Sequence, residues 1–118
     1  MGSGDLHRGG SVTLNASGNG TVAMLPDHAN QSWQVTYIWV STNQSPTATT
    51  VPQVESFVNG VLDRMNSRGA SWAGNQTSFS GLIKVSGLDT LNIVFTAGVP
   101  GTVASVVVEG TYRTKGST

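Results

Sequence analysis

Two histidines and a few scattered carboxylates are the residues of this sequence that could perform acid–base or metal chemistry. His28 stands beside Asp27 in a polar segment, and His7 lies near the start of the chain. A Ser/His/Asp arrangement could be drawn through His28, but no Gly-x-Ser-x-Gly turn occurs in the sequence. The carboxylates are spread singly along the chain at Asp5, Asp27, Glu55, Asp63, Asp89 and Glu109. We therefore expect that the protein is not an enzyme.

The composition also argues against several ligands. There is no cysteine, which excludes disulfides and thiolate metal sites. No Gly-rich phosphate loop or dinucleotide motif is present. The formal net charge is 0 with a pI of 6.7, so no basic field attracts nucleic acid. No apolar run approaches the ~20 residues of a membrane span. We expect no cofactor, no metal, no nucleic acid and no membrane partner.

A long loop is predicted over residues 64–81, and its aromatic and amide side chains suggest a ligand site. Trp72 is followed by Asn75 and Gln76, residue types that stack on sugar rings and hydrogen-bond to their hydroxyls. In the structural alternative, Trp72 and Phe79 close the open edge of a β-sandwich. The sequence leaves both interpretations open.

Residues 1–10 are rich in glycine and show no hydrophobic periodicity. Their only apolar side chains are Met1 and Leu6, too few to offset the ordering cost of 4 glycines. We expect a flexible N-terminal arm, followed by a single domain over residues 11–118. The arm is either a plain leader or a segment that orders against a partner through Leu6, His7 and Arg8.

The last third of the chain predicts three strands of a buried β-sheet. Residues 82–85 form a short apolar run, and residues 90–96 and 102–112 alternate between apolar and polar side chains. Between the last two runs, Gly98-Val99-Pro100-Gly101 fits a type II turn. Residues 90–112 therefore predict a β-hairpin.

Residues 32–41 predict a central strand with aromatic side chains in the core. With a period of two, one face carries Trp33, Val35, Tyr37 and Trp39. Ile38 and Val40 make the opposite face apolar at the far end, as expected of a strand covered on both sides. We favour the core over the alternative, a row of aromatic side chains that stack on sugars.

Two structures compete for residues 54–65. Apolar residues at helical spacing from Val54 to Met65 fit an amphipathic helix. Asn59-Gly60 in the middle is a strong hairpin motif, and Gly60 disfavours a helix by about 1 kcal/mol. We favour strand–turn–strand, and the residues alone leave the helix possible.

Together these segments predict an all-β fold, a two-sheet antiparallel sandwich of about seven strands that is immunoglobulin-like or jelly-roll in layout. Charged residues make up 10% of the sequence, below the roughly 25% of ordinary soluble domains. So neutral a β-surface can pack against copies of itself. We therefore expect self-association into trimers or larger rings.

Five short motifs follow one another from about Pro52 onward: FVNG at 57–60, SWAGN at 71–75, FSG at 79–81, LDTL at 88–91 and VPGTVA at 99–104. In this order, behind a Trp-containing strand, they resemble small β-sandwich domains of tailed-bacteriophage virion proteins. Asp89 stands where that group usually has Gln, and residues 102–104 depart from its commoner Ala-rich form. The resemblance implies strands over residues 54–65. Such proteins occur as capsid decoration or minor capsid proteins, head fibres and tail knobs.

The function expected from the resemblance is a non-enzymatic bacteriophage virion structural protein, located in the virion. We expect a capsid decoration or minor capsid protein that stabilises the assembled shell and has the major capsid protein lattice or other virion proteins as partners. The alternative is a carbohydrate- or receptor-binding domain of a head fibre or tail, with a host glycan as partner.

Overall fold

The computed structural model describes residues 2–43, 52–59, 61–62 and 75–115. These residues form β1 (Gly2–Thr13), β2 (Gly20–Met24), β3 (Gln31–Thr42), β4 (Gln53–Val58), β5 (Val61–Leu62), β6 (Gln76–Val85), β7 (Leu91–Thr96) and β8 (Val103–Thr114). β5 has 2 residues, and each of the others has 5 or more. The predicted all-β fold of about seven strands in two antiparallel sheets is confirmed.

The pairing of the strands defines a jelly roll. One sheet has the order β1-β8-β3-β6, here called the β1 sheet, and the other, the β2 sheet, has the order β2-β7-β4-β5. β1 pairs with β8, β2 with β7, β3 with β6 and β4 with β5, all antiparallel. The two halves of the chain thus form one long ribbon that folds over into two sheets, the jelly-roll arrangement. The immunoglobulin-like layout is excluded because β1 and β2 lie in different sheets.

The core lies between the two sheets and follows the alternation of the strands. In β7 the buried side chains are Leu91, Ile93 and Phe95, and in β8 they are Ala104, Val106 and Val108, as the sequence pattern predicts. Full burial of an aliphatic or aromatic side chain of this size contributes about 1.5–3 kcal/mol to the free energy of folding. Tyr112, predicted on the same face of β8, is partly buried against this core.

The predicted hairpin of residues 90–112 is wrong, because β7 and β8 lie in different sheets. The predicted type II turn is present: Gly101 has φ 79°, and Thr102 N donates to Val99 O over 3.2 Å. However, Gly101 N donates to Leu14 O over 2.9 Å, so the turn bonds to the β1–β2 connection. A tight turn fixes the local direction of the chain but not which strand lies alongside it.

The predicted flexible arm over residues 1–10 is also wrong for residues 2–10, which belong to β1. β1 runs antiparallel to β8 from Gly2 opposite Thr114 to Thr13 opposite Val103. Leu6 is 4% exposed and joins the core. The apolar side chains of the segment itself do not explain this order. Its order comes from the backbone hydrogen bonds to β8 and from the apolar surface that the other strands already provide.

A β-bulge interrupts β3 between Val35 and Tyr37, where the register shifts relative to both neighbouring strands. In β8, Gly110 lies opposite Val35, next to the bulge. A Cβ atom at Gly110 would lie 1.9 Å from the carbonyl oxygen of Gln34, so only glycine fits this close approach.

The bulge places the aromatic side chains that follow it in β3 on the outer side of the sheet. The buried side chains of β3 before and after the bulge are Trp33, Val35, Ile38 and Val40. Tyr37 and Trp39 lie half-buried on the outer face. The predicted single core face of Trp33, Val35, Tyr37 and Trp39 is therefore wrong. One extra residue in a strand of period two moves every later side chain to the opposite face.

The strand–turn–strand prediction for residues 54–65 is confirmed as far as the described residues reach. β4 and β5 pair antiparallel on either side of the predicted Asn59-Gly60 turn, and Asn59 has φ 53°. The predicted loop over residues 64–81 is wrong at its end, because β6 already begins at Gln76. Residues 64–74 of that loop lie outside the described residues.

Candidate interaction surface

The outer face of the β1 sheet carries rows of exposed and half-buried side chains. β1, β3 and β8 are each 12 residues long. Residues directly opposite in antiparallel strands point to the same side, so the outward side chains form rows across the sheet. These rows divide into a charged half, at the end where β1 begins, and a neutral half.

The charged half contains the outward side chains Asp5, His7, Lys84, Glu109 and Arg113. His7 and Glu109 are directly opposite in β1 and β8, with 3.5 Å between Nδ1 and Oε2. Their side chains are 71% and 49% exposed. So exposed a pair contributes little to stability. The carboxylates of Asp5 and Glu109 are balanced by Lys84 and Arg113, so this half has no strong excess of either sign.

Arg8 lies on the inward side of β1 and covers the rim of the sandwich. Its guanidinium group pairs with Asp27 and lies 5.7 Å from the centre of the Trp33 ring. Trp33 Nε1 donates to Gln31 Oε1 over 2.9 Å, and the same oxygen accepts from the Asp27 backbone nitrogen over 3.1 Å. These residues line an open groove of about 420 Å³. Arg8 and Asp27 compensate each other's charge, and Asp5, His7 and His28 also line the groove.

The neutral half begins beyond the row of His7 and Glu109. Its members, row by row, are Gly9, Val107, Trp39 and Ser78; then Ser11, Ser105, Ser41 and Gln76; then Thr13 and Val103. No residue of this set carries a charge. Tyr37 stands at the border, in the row of Glu109. The neutral half thus combines a half-buried indole with small hydroxyl side chains and one amide.

Trp39 and Gln76 form the most defined contact of the neutral half. Trp39 Nε1 donates to Gln76 Oε1 over 3.2 Å. Trp39 is half-buried and Gln76 is exposed. The hydrogen bond joins β3 to β6 and restrains the orientation of the indole. The amide nitrogen of Gln76 has two N–H groups for further donation.

The three predicted partner contacts of β1 have different environments. Leu6 is buried in the core, so its predicted role as a partner contact is wrong. His7 is exposed on the outer face. Arg8 is partly exposed but is held by Asp27 and Trp33. Leu6 and Arg8 point to one side of the strand and His7 points to the other, because successive side chains of a strand alternate between its two faces.

The predicted ligand loop is only partly described. Trp72 lies outside the described residues. Asn75 Nδ2 donates to Thr42 O over 2.8 Å, and Thr42 N donates to Asn75 O over 2.9 Å, so Asn75 fixes the start of β6 to the end of β3. Gln76 lies in β6 and contacts Trp39. The structure therefore combines Gln76 with an aromatic residue that the sequence pattern assigned to the core.

Tyr37 and Trp39 are the surface residues that the sequence argument missed. The sequence does contain a hint, because Ile38 and Val40 form an apolar alternation in the opposite phase to Trp33 and Val35. Two phases in one strand require an extra residue between them, and relative to β8 this residue is Thr36.

Within the part of the chain that the structure describes, no group of 3 or more His, Cys, Asp or Glu side chains could hold a metal ion. The same residues include no helix that is long and apolar enough to cross a membrane. A scan against protein-family models found no matching family, and a search of curated proteins found no match. The described residues thus define a jelly-roll domain with a half-charged, half-neutral outer sheet face.

Proposed function

We propose that the protein is a non-enzymatic structural protein of a bacteriophage virion that decorates the assembled capsid and stabilises it. The observation that carries the proposal is the jelly-roll order of the strands, an architecture that viral capsid domains use. Because a fold alone does not imply a function, the proposal also rests on the sequence. The motifs between residues 57 and 104 resemble phage virion domains, and the content of charged residues is low.

The stabilisation would follow from selective binding. A protein that binds the assembled lattice, and not its free subunits, shifts the equilibrium toward the lattice by mass action. When the free concentration of the decorating protein is 100 times its Kd, binding stabilises each lattice site by about 2.7 kcal/mol. The stabilising free energies of the many occupied sites would add up over the shell.

The proposed contact with the lattice is the exposed side of β1. β1 is an edge strand of its sheet, so its outer face lies at the rim of the domain, beside the backbone edge that could pair with a second copy. His7 projects from its outer face and remains the proposed partner contact of this strand. The major capsid protein lattice is the proposed partner, and the virion the proposed location.

The same sheet supports the proposal of self-association. Its four strands alternate in direction, so the two edge strands β1 and β6 run antiparallel to each other. β1 of one copy could therefore extend the sheet of a second copy beside β6, in the antiparallel direction. Such a head-to-tail contact closes into a trimer or larger ring when the rotation between copies allows it.

The test uses capsids that lack the protein. Purified protein is added, occupancy is measured by sedimentation, and the disruption temperature is measured by light scattering. We expect saturable binding and a higher disruption temperature.

His7→Ala should weaken attachment without changing the melting temperature of the free domain. The matched control is Leu88→Ala, which alters a side chain 84% exposed between β6 and β7. Absence of binding, or binding without a change in disruption temperature, contradicts the proposal.

A further inference from the structure

We infer that the neutral half of the outer face binds an uncharged carbohydrate, with the Trp39 indole as the surface on which a sugar ring stacks. The inference does not depend on the virion proposal, because it concerns a different part of the sheet and the free protein. The proposed ligand site lies on a sheet face, in contrast to the site predicted from the sequence around Trp72.

The Trp39 indole is held in place by a neighbouring side chain. The indole is half-buried on β3, an inner strand of its sheet, and its Nε1 donates to Gln76 Oε1 over 3.2 Å. An aromatic ring restrained in this way loses little conformational freedom when a ligand stacks on it. The C–H faces of sugars pack against aromatic planes, which makes Trp a suitable platform.

Neutral hydrogen-bonding side chains surround the indole. Ser78 lies directly opposite Trp39 in β6, and Ser41 lies directly opposite Gln76. Both serines can donate and accept, and the amide nitrogen of Gln76 can donate. Hydroxyl and amide groups match the hydroxyls of a sugar. The neutral half contains no charged side chain that would pair with, or repel, an ionic ligand.

The small apolar area of the neutral half favours a carbohydrate over a second copy of the chain. The apolar side chains of the neutral half are Trp39, Val107 and Val103, all half-buried, and Gly9 contributes none. A stable protein–protein interface buries about 1,200–2,000 Å² in total. Three half-buried side chains are too few to form its apolar centre. One restrained indole with polar neighbours is sufficient for a sugar ring.

The test measures binding of the full chain, free in solution, to neutral oligosaccharides of four to six glucose, mannose, galactose or N-acetylglucosamine units. An array identifies binders, with sialylated and sulfated glycans for comparison, and calorimetry measures the affinity. We expect at least one neutral oligosaccharide to bind and the anionic glycans to bind more weakly. Trp39→Ala should lower the affinity by roughly tenfold or more.

Several variants make the result specific to this site. Trp39→Phe keeps a stacking ring but loses the donor to Gln76, so its affinity should be intermediate. Leu82→Ala, which changes a side chain 53% exposed on β6 of the same sheet, should bind as the parent does. If Trp39→Ala does not fold, Ser78→Arg fills the same row from an exposed position. Its binding should also be lost.

Three outcomes would overturn the inference: no neutral oligosaccharide binds, anionic glycans bind equally well, or binding persists in the folded Trp39 and Ser78 variants. None of them bears on attachment to capsids, which is measured with His7→Ala. Conversely, failure of capsid attachment leaves the carbohydrate result unchanged.

Discussion

Trp39 of β3 and Gln76 of β6 are joined across the outer face of the β1 sheet by a hydrogen bond of 3.2 Å between their side chains. The two residues are 37 positions apart in the chain. They meet because β3 and β6 pair antiparallel and because the bulge between Val35 and Tyr37 turns Trp39 outward. Without the bulge, the indole would point into the core and Gln76 would have no such partner. The bulge therefore decides the character of this surface.

Leu6→Ala should destabilise the domain by about 2–4 kcal/mol, because it removes a buried side chain and leaves a cavity. His7→Ala, one position further along the same strand, should change the free energy of unfolding by at most about 0.5 kcal/mol, since its side chain is 71% exposed. Urea denaturation followed by circular dichroism measures both. Equal effects would mean that β1 is not packed as described.

Deletion of residues 2–10 should lower the melting temperature strongly or prevent folding. The deletion removes most of the pairing between β1 and β8. It also removes Leu6 and so exposes the core residues that Leu6 covers. A flexible arm, as predicted from the sequence, would leave the melting temperature unchanged. A thermal melt followed by circular dichroism distinguishes the two, and an unchanged melt would restore the sequence prediction.

Deletion of Thr36 should abolish cooperative folding, because it turns Tyr37 and Trp39 into the core and exposes Ile38 and Val40. Thr36→Ala is the matched control. It keeps the residue count and loses only a long hydrogen bond of 3.5 Å to Glu109 O, at a cost of about 0.5–1 kcal/mol. Tryptophan fluorescence during denaturation gives the measurement. A deletion variant that folds cooperatively would contradict the role of the bulge.

Gly110→Ala should destabilise the domain by about 3 kcal/mol, because its Cβ atom would lie 1.9 Å from Gln34 O. Gly9→Ala, on the neighbouring strand, is the control: the nearest atom, Val106 O, is 3.6 Å away, an ordinary contact. We expect its stability to remain within about 1 kcal/mol of the parent. Thermal melting of both variants tests the difference, and equal melting temperatures would contradict it.

Asn59→Ala should cost about 1–3 kcal/mol, because it places alanine at φ 53° and removes two side-chain hydrogen bonds. Asn59 Nδ2 donates to Asp89 Oδ1 over 2.6 Å, and its Oδ1 accepts from Thr90 N over 2.9 Å. Asn59→Gly relieves the backbone strain and should cost less. Urea denaturation separates the two contributions. If both variants match the parent, the turn is not held by this residue.

The sequence alone was sufficient for the elements whose period is uninterrupted. β7 and the first half of β8 alternate strictly, and their buried residues are those that the pattern predicts. The type II turn at Pro100-Gly101 follows from the fixed φ of proline and the positive φ that glycine allows. The same holds for Asn59 at the turn after β4. Each of these features depends on only a few adjacent residues.

The candidate surface was not predictable in this way. Gln76 was identified as a binding residue, but its partner Trp39 was assigned to the core, and Leu6 was assigned to the surface. Both errors have the same cause. The side chain of a residue in a strand points to a face that depends on the register of its neighbours, and the register is set by residues far away in the chain.

The amino-acid sequence by itself determined that this protein is an all-β domain with strands near residues 32–41, 90–96 and 102–112, because alternation and turn residues act locally. Only the tertiary structure decided that β7 and β8 lie in different sheets, that residues 2–10 form an edge strand, and that Trp39 faces outward. The physical reason is that pairing partners and bulges are chosen by backbone hydrogen bonds between distant segments, which must all be satisfied together.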